Sequence, residues 1–222
     1  MTILHHLDEA TILACAAGTL DEPARVLATT HMAMCPKCRE AFKRANQIGA
    51  ALLESETSED ISEDVLDEVM ARIDSEEISP QIARLKTPII DVYSADVPRP
   101  LARYVKWRLD DVPWKTIAPG IGTCDLDVSE GSPGKLKLIK LAPGNKVPEH
   151  GHQASEMTLV LTGTFSDNFG EFRPGDVAEL GADEEHAPMT GGDEECICLI
   201  ATEGRMQFKG LISRMLQPLT GM

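Results

Sequence analysis

The apolar positions of this chain change period once. In the first third they recur at helical spacing, through DEATILACAAG, EPARVLATTHMAM and PKCREAFKRANQIGAALLE. Gly18 is a stop signal for the first of these helices, and Pro23 suits the first turn of the second. A fourth stretch, SEDISEDVLDEVMARID, puts Ile61, Val65, Leu66, Val69, Met70 and Ile73 on one stripe and acids on the rest. Prolines at 80, 88, 98 and 100 then break helices and weaken internal sheet pairing, so this stretch reads as a linker. From about residue 101 the runs are short and alternating or apolar: KLKLIKLAPG, EMTLVLTGTFSD, PGDVAELG and ECICLIATEG, with Pro and Gly turns between them. That pattern predicts an antiparallel β sandwich or barrel. The expectation is a two-domain protein, all-α at the N-terminus and all-β at the C-terminus.

Composition changes this picture in three places. Across the 222 residues there are 36 acids and 21 bases, a net charge of −15, which opposes direct binding to nucleic-acid phosphates. Eleven of the acids lie between Glu54 and Glu77, against the single base Arg72, so the fourth helix suits a basic partner. No apolar run approaches the roughly 18–20 residues a membrane span needs, and MTILHHLDEA lacks the layout of a secretion signal. A cytoplasmic protein is expected, whose six cysteines are free or metal-bound rather than paired. The six histidines fall into two groups: His5, His6 and His31, then His150, His152 and His186.

The first group sits with HMAMCPKC. His31 and Cys35 are four positions apart at the end of one helix. Pro36 disfavours helical geometry at Cys35 and starts the next helix, which places Cys38 in its first turn, where free N–H groups favour a thiolate. Three nitrogen and sulfur ligands at a helix junction suit tetrahedral zinc, with His5 or His6 as the fourth. A redox dithiol would follow a strand in a βαβ unit, and these flanks are helical. Cys15, inside ILACAAG, reads as core.

This arrangement resembles the zinc anti-sigma domain, which grips a sigma factor of the extracytoplasmic-function type and blocks its access to RNA polymerase. The resemblance implies zinc on His6, His31, Cys35 and Cys38, and it covers residues 1–80. It implies that the apolar stripe of the fourth helix docks on the partner while its acids meet the partner's basic residues.

In GNKVPEHGHQASEMTLVLTG, His150 and His152 share a strand face, and Glu156 opens the next run. Two imidazoles and a carboxylate make a metal-binding face, with His186 the natural fourth ligand. Gly144-x5-His150-x-His152-x3-Glu156-x6-Gly163 resembles the first cupin motif at every fixed position. The second motif is partial: Pro174, Gly175 and His186 are present, the spacing is longer and the later Asn is missing. The resemblance covers about residues 101–210 and implies a jelly-roll-like cupin with a site for zinc or another divalent transition metal; with the proline-rich stretch as a linker at 81–100, the cupin domain is expected over 101–222. Cys196 and Cys198 share a strand face about 6.6 Å apart, near the limit for a disulfide, and read as buried strand cysteines. Cys124 has no readable partner.

A zinc anti-sigma domain followed by a cupin is the arrangement of the ChrR family of anti-sigma factors. In that family the cupin is tied to oxidative stress such as singlet oxygen, after which the sigma factor is released. The competing reading is an enzyme: a metal-dependent cupin dioxygenase or isomerase with a helical accessory domain. Four protein ligands leave fewer open positions than a three-ligand catalytic site, and no further acid–base pair is visible.

Overall fold

The computed structural model describes residues 2–75, 97–105, 107–152, 154–203 and 206–208. Four helices come first: α1 (Glu9–Ala17), α2 (Glu22–Met34), α3 (Pro36–Ser55) and α4 (Val65–Ser75). Their ends follow the sequence signals. Gly18 takes the left-handed conformation (φ 71°) that closes α1. Asp21 caps α2 by accepting from the Ala24 amide at 2.8 Å. Cys35 is extended between α2 and α3 (φ −105°, ψ 106°), the conformation Pro36 imposes on its predecessor. The stripe read from Ile61 is shorter than expected, because α4 begins at Val65. Asp64 accepts the Glu68 amide there, so the acids at 63 and 64 sit at a helix N-terminus, where they are favoured. The linker expected at 81–100 lies outside the described residues up to 96, as does the tail from 209.

Among the described residues the β half has twelve strands: β1 (Lys115–Ala118), β2 (Ile121–Leu126), β3 (Lys135–Leu141), β4 (His150–His152), β5 (Glu156–Thr162), β6 (Phe165–Asp167), β7 (Gly170–Phe172), β8 (Val177–Leu180), β9 (Glu185–His186), β10 (Met189–Thr190), β11 (Cys196–Thr202) and β12 (Met206–Phe208). Their pairings are antiparallel. A six-stranded sheet runs β1-β2-β3-β11-β5-β8, and two three-stranded sheets run β10-β6-β7 and β12-β4-β9. Between the large sheet and the smaller ones lies an apolar cavity lined by Ile139, Phe165, Cys198 and Ile200 among others. This is the sandwich expected from the alternation.

The central strands are apolar on both faces, and the fold shows why. Of their inward residues, Ile139 on β3 and Ile200 on β11 line the cavity, and Val160 on β5 packs in the same cluster. Their outward residues, Leu138, Leu159 and Leu199, are fully buried in a second cluster that also holds Val26, Leu27 and Ala28 of α2. Helix α2 therefore lies on the outer face of the sheet. It buries Pro23, Val26, Leu27, Ala28, Thr30, His31 and Met32, a wider face than one neighbour requires. Glu22 adds polar contacts at the same seam, accepting from the Tyr104 hydroxyl and the Ser129 amide, each at 2.8 Å. Two halves with unlike periods thus share one core.

Helix α4 is different. None of its residues is buried, and Leu66, Val69, Met70 and Ile73 are exposed, as are Ile48, Leu52 and Leu53 at the end of α3.

Candidate metal centres and family

The first centre forms where α2 gives way to α3. His31 lies in the last turn of α2, Cys35 is the hinge, Cys38 lies in the first turn of α3, and His6 arrives on the segment before α1. One ligand atom from each of these four residues lies within 4.8 Å of all the others. Cys35 Sγ is 3.4 Å from His6 Nδ1 and 3.5 Å from the Cys38 amide. His5 faces elsewhere. Its ring lies 4.3 Å from that of Phe172, and its Nε2 meets the Glu171 carbonyl at 3.2 Å.

His31 reveals what the cluster suits. Its Nδ1 lies 2.8 Å from the Gly175 carbonyl, which can only accept, so Nδ1 carries the proton and Nε2 presents a lone pair. That Nε2 is buried with no hydrogen-bond partner among the described residues. A buried lone pair without a donor is costly, and a cation at the cluster removes the cost. Burial also holds His31 down at about 4, so the imidazole is neutral, and pushes the Cys38 thiol up to about 11. Burial, then Lys37, lowers His6 as well. Two imidazoles and two thiols in this geometry fit tetrahedral zinc.

The second centre sits inside the sandwich. His150 opens β4, Glu156 opens β5 and His186 closes β9, opposite His150 in the ladder. His150 and His186 approach Nε2 to Nε2 at 3.1 Å, and Glu156 Oε1 is 3.9 Å from His186 Nε2. Both outer nitrogens are anchored: His150 Nδ1 donates to the Pro148 carbonyl and His186 Nδ1 to Asp167 Oδ2, each at 2.9 Å. With the protons on Nδ1, two lone pairs point at each other beside a carboxyl group. A shared cation satisfies all three. Burial drives His150 down to about 4 and Glu156 up to about 7. His152 continues β4, paired through its backbone with Met206, and its side chain lies outside the described residues. The Cys196 and Cys198 sulfurs are 3.7 Å apart, and Cys198 lines the same cavity.

Residues 103–205 match the family described as ChrR Cupin-like domain. The anti-sigma-E factor ChrR of Cereibacter sphaeroides is 35% identical over 218 residues, which span 98% of each chain. The chain belongs to the ChrR family of anti-sigma factors. ChrR is also seen in the crystal structure of Rhodobacter sphaeroides SigE in complex with the anti-sigma ChrR. That match has a TM-score of 0.76 and 34% identity, covering 90% of this chain and all of the other.

For a ChrR-family chain, several supporting residues were invisible in the sequence. Asp167 accepts from His186, and Asp176 and Glu179 accept from the segment that carries His6; these contacts exist only once the sheet has formed. The Gly175 carbonyl that fixes His31 is a backbone group, which no residue pattern announces. The one available signal was the Pro174-Gly175 turn, noted as a partial cupin motif rather than as a support for the first centre.

Proposed function

We propose that this protein is an anti-sigma factor that sequesters a sigma factor of the extracytoplasmic-function type in the cytoplasm. One observation carries the reading: the chain matches, over 90% of its length, the ChrR that was crystallised in complex with SigE. Residues 1–80 form the gripping part, 81–100 the linker and 101–222 the cupin. His6, His31, Cys35 and Cys38 hold zinc, which fixes the junction between α2 and α3 and thereby the direction in which α3 leaves. The exposed apolar residues of α3 and α4 then meet the partner, and the acids around them meet its basic residues. An apolar stripe left exposed among the described residues supports this reading.

In the cupin, His150, His152, Glu156 and His186 hold zinc or another divalent transition metal. The response is release of the sigma factor under oxidative stress such as singlet oxygen. The cavity beside these residues is small, at about 50 Å³, which suits a bound metal with a few waters. The test is co-purification of a sigma factor with the full chain, together with transcription from its promoter with and without a singlet-oxygen source. A chain that captures no sigma factor and leaves transcription untouched refutes the assignment. Capture without release on oxidation refutes the sensing half alone.

A further inference from the structure

The segment before α1 has no regular structure of its own, yet it is pinned at both ends by the cupin. The Leu4 and His5 amides donate to Asp176 Oδ1 at 2.7 and 2.9 Å. The Asp8 amide donates to Glu179 Oε1 at 2.8 Å, and the Thr11 hydroxyl to Glu179 Oε2 at 2.5 Å. Between these anchors the Leu7 amide turns to the Cys38 sulfur, and His6 reaches Cys35. Gly175, next to Asp176, fixes His31 and is itself closely covered. It has φ 91°, and a Cβ there would lie 2.7 Å from Ile3 Cδ1.

Asp176 also supports its own turn, accepting the Arg173 amide at Oδ2. That task leaves Oδ1 unexplained. Glu179 explains less by itself. It alternates on β8 with buried Ala178 and Leu180, faces outward, and spends both carboxylate oxygens on the N-terminal segment. The metal cluster takes three ligands from eight consecutive positions and the fourth from a segment that has to be ordered separately. Ordering that segment costs conformational entropy, which is charged to metal binding unless something else has already fixed it.

We propose that Asp176 and Glu179 are positioning residues for the N-terminal metal: by holding Leu4, His5 and Asp8 they place His6, and the site is a composite of both halves of the chain. The inference rests on the reading that His6, His31, Cys35 and Cys38 bind zinc. Any rearrangement of the cupin that shifts β8 is then felt at His6.

The test uses the full chain with cobalt(II) as the probe. Thiolate-to-cobalt charge-transfer absorption reports on Cys35 and Cys38, and competition with a chelator and then with zinc gives affinities. Asp176→Ala and Glu179→Ala should each weaken binding at the thiolates about 10- to 100-fold, the scale of lost outer supports at metal sites. Their ligand-field bands should also change as His6 loosens. Glu179→Gln keeps an acceptor oxygen for the Asp8 amide, and its NH2 can donate to the Thr11 hydroxyl, so it should recover most of the affinity. A purely structural role would lower the melting temperature of metal-free and loaded protein alike and leave the affinity unmoved. If Asp176→Ala does not fold, Glu179→Ala decides, because it removes contacts to the segment and leaves the turn intact. Folded alanine variants with affinity within twofold of wild type, and an unchanged spectrum, overturn the clamp alone. A wild-type chain with no thiolate–cobalt absorption overturns the metal reading and the clamp with it.

Discussion

Leu66 and Ile73 lie seven positions apart on α4, on the face that also carries Val69 and Met70. Replacing both with Ala tests whether this face grips the sigma factor. Each change removes three carbons. Leu66 is 68% exposed and Ile73 62%, so that share of each side chain remains to be covered by a partner. At ~0.8 kcal/mol per buried carbon, the loss is about 1.6 kcal/mol for Leu66 and about 1.5 for Ile73 if the partner covers them fully. Together that is on the order of 100-fold in Kd. The fold should not notice, since no residue of α4 is buried and Ala favours a helix. The assay is calorimetric titration of the purified sigma factor into wild-type and Leu66→Ala/Ile73→Ala protein, with thermal melts of both. A double variant that binds within threefold of wild type shows that the partner reads a different surface. A large fall in melting temperature of the free protein shows that α4 is packed in a way its exposure denies.

Three further outcomes follow from the same geometry. Cys35→Ser or Cys38→Ser should lose N-terminal zinc and, with it, tight partner binding, because a structural metal supplies folding free energy; metal analysis beside a binding titration checks this. Asp167→Asn should weaken metal binding in the cupin by roughly 10- to 100-fold, since the His186 support becomes uncharged, while cobalt at Cys35 and Cys38 is unaffected; titration of the cupin metal decides. Zinc loading of metal-free protein should release protons at neutral pH, because burial holds the Cys38 thiol at about 11 and the metal displaces its proton. Affinity therefore rises with pH by at least about tenfold per unit below that value. A flat profile between pH 6 and 8 would show that Cys38 is not a ligand.

The sequence made the local parts legible. Pro36 announced the break at Cys35, Gly18 announced the end of α1, and alternating runs announced a sandwich, because each of these is decided by residues within a few positions. The candidate clusters were readable for the same reason: HxxxCxxC and HxH-x3-E carry most of their residues in short spans. What remained hidden depends on contacts between distant segments. The double-faced apolar strands Lys135–Leu141 and Cys196–Thr202 were seen as strands, but their outer faces gave no hint of the covering element, α2. Periodicity reports that a face is buried and says nothing of what buries it. The change of period near residue 100 suggested two separate units, yet Leu27 packs in one cluster with Leu138, Leu159 and Leu199. The choice of His6 over His5 rested on family pattern. The fold supplies the physical reason, turning His5 toward Phe172 and His6 toward Cys35.

The hydrogen bond from Leu4 to Asp176 spans 172 positions of sequence. Leu4 leaves the ribosome long before its acceptor is made. At roughly 5–20 residues per second, the N-terminal segment waits about 10–30 s for its anchor. During that interval all the ligands of the first metal centre are already outside, while β8 does not yet exist. A nascent chain that stalls before residue 176 carries the four ligands without the groups that hold His6 in place. The clasp closes only on chains in which β8 has been made and folded, so the state of that strand is written onto a segment translated long before it.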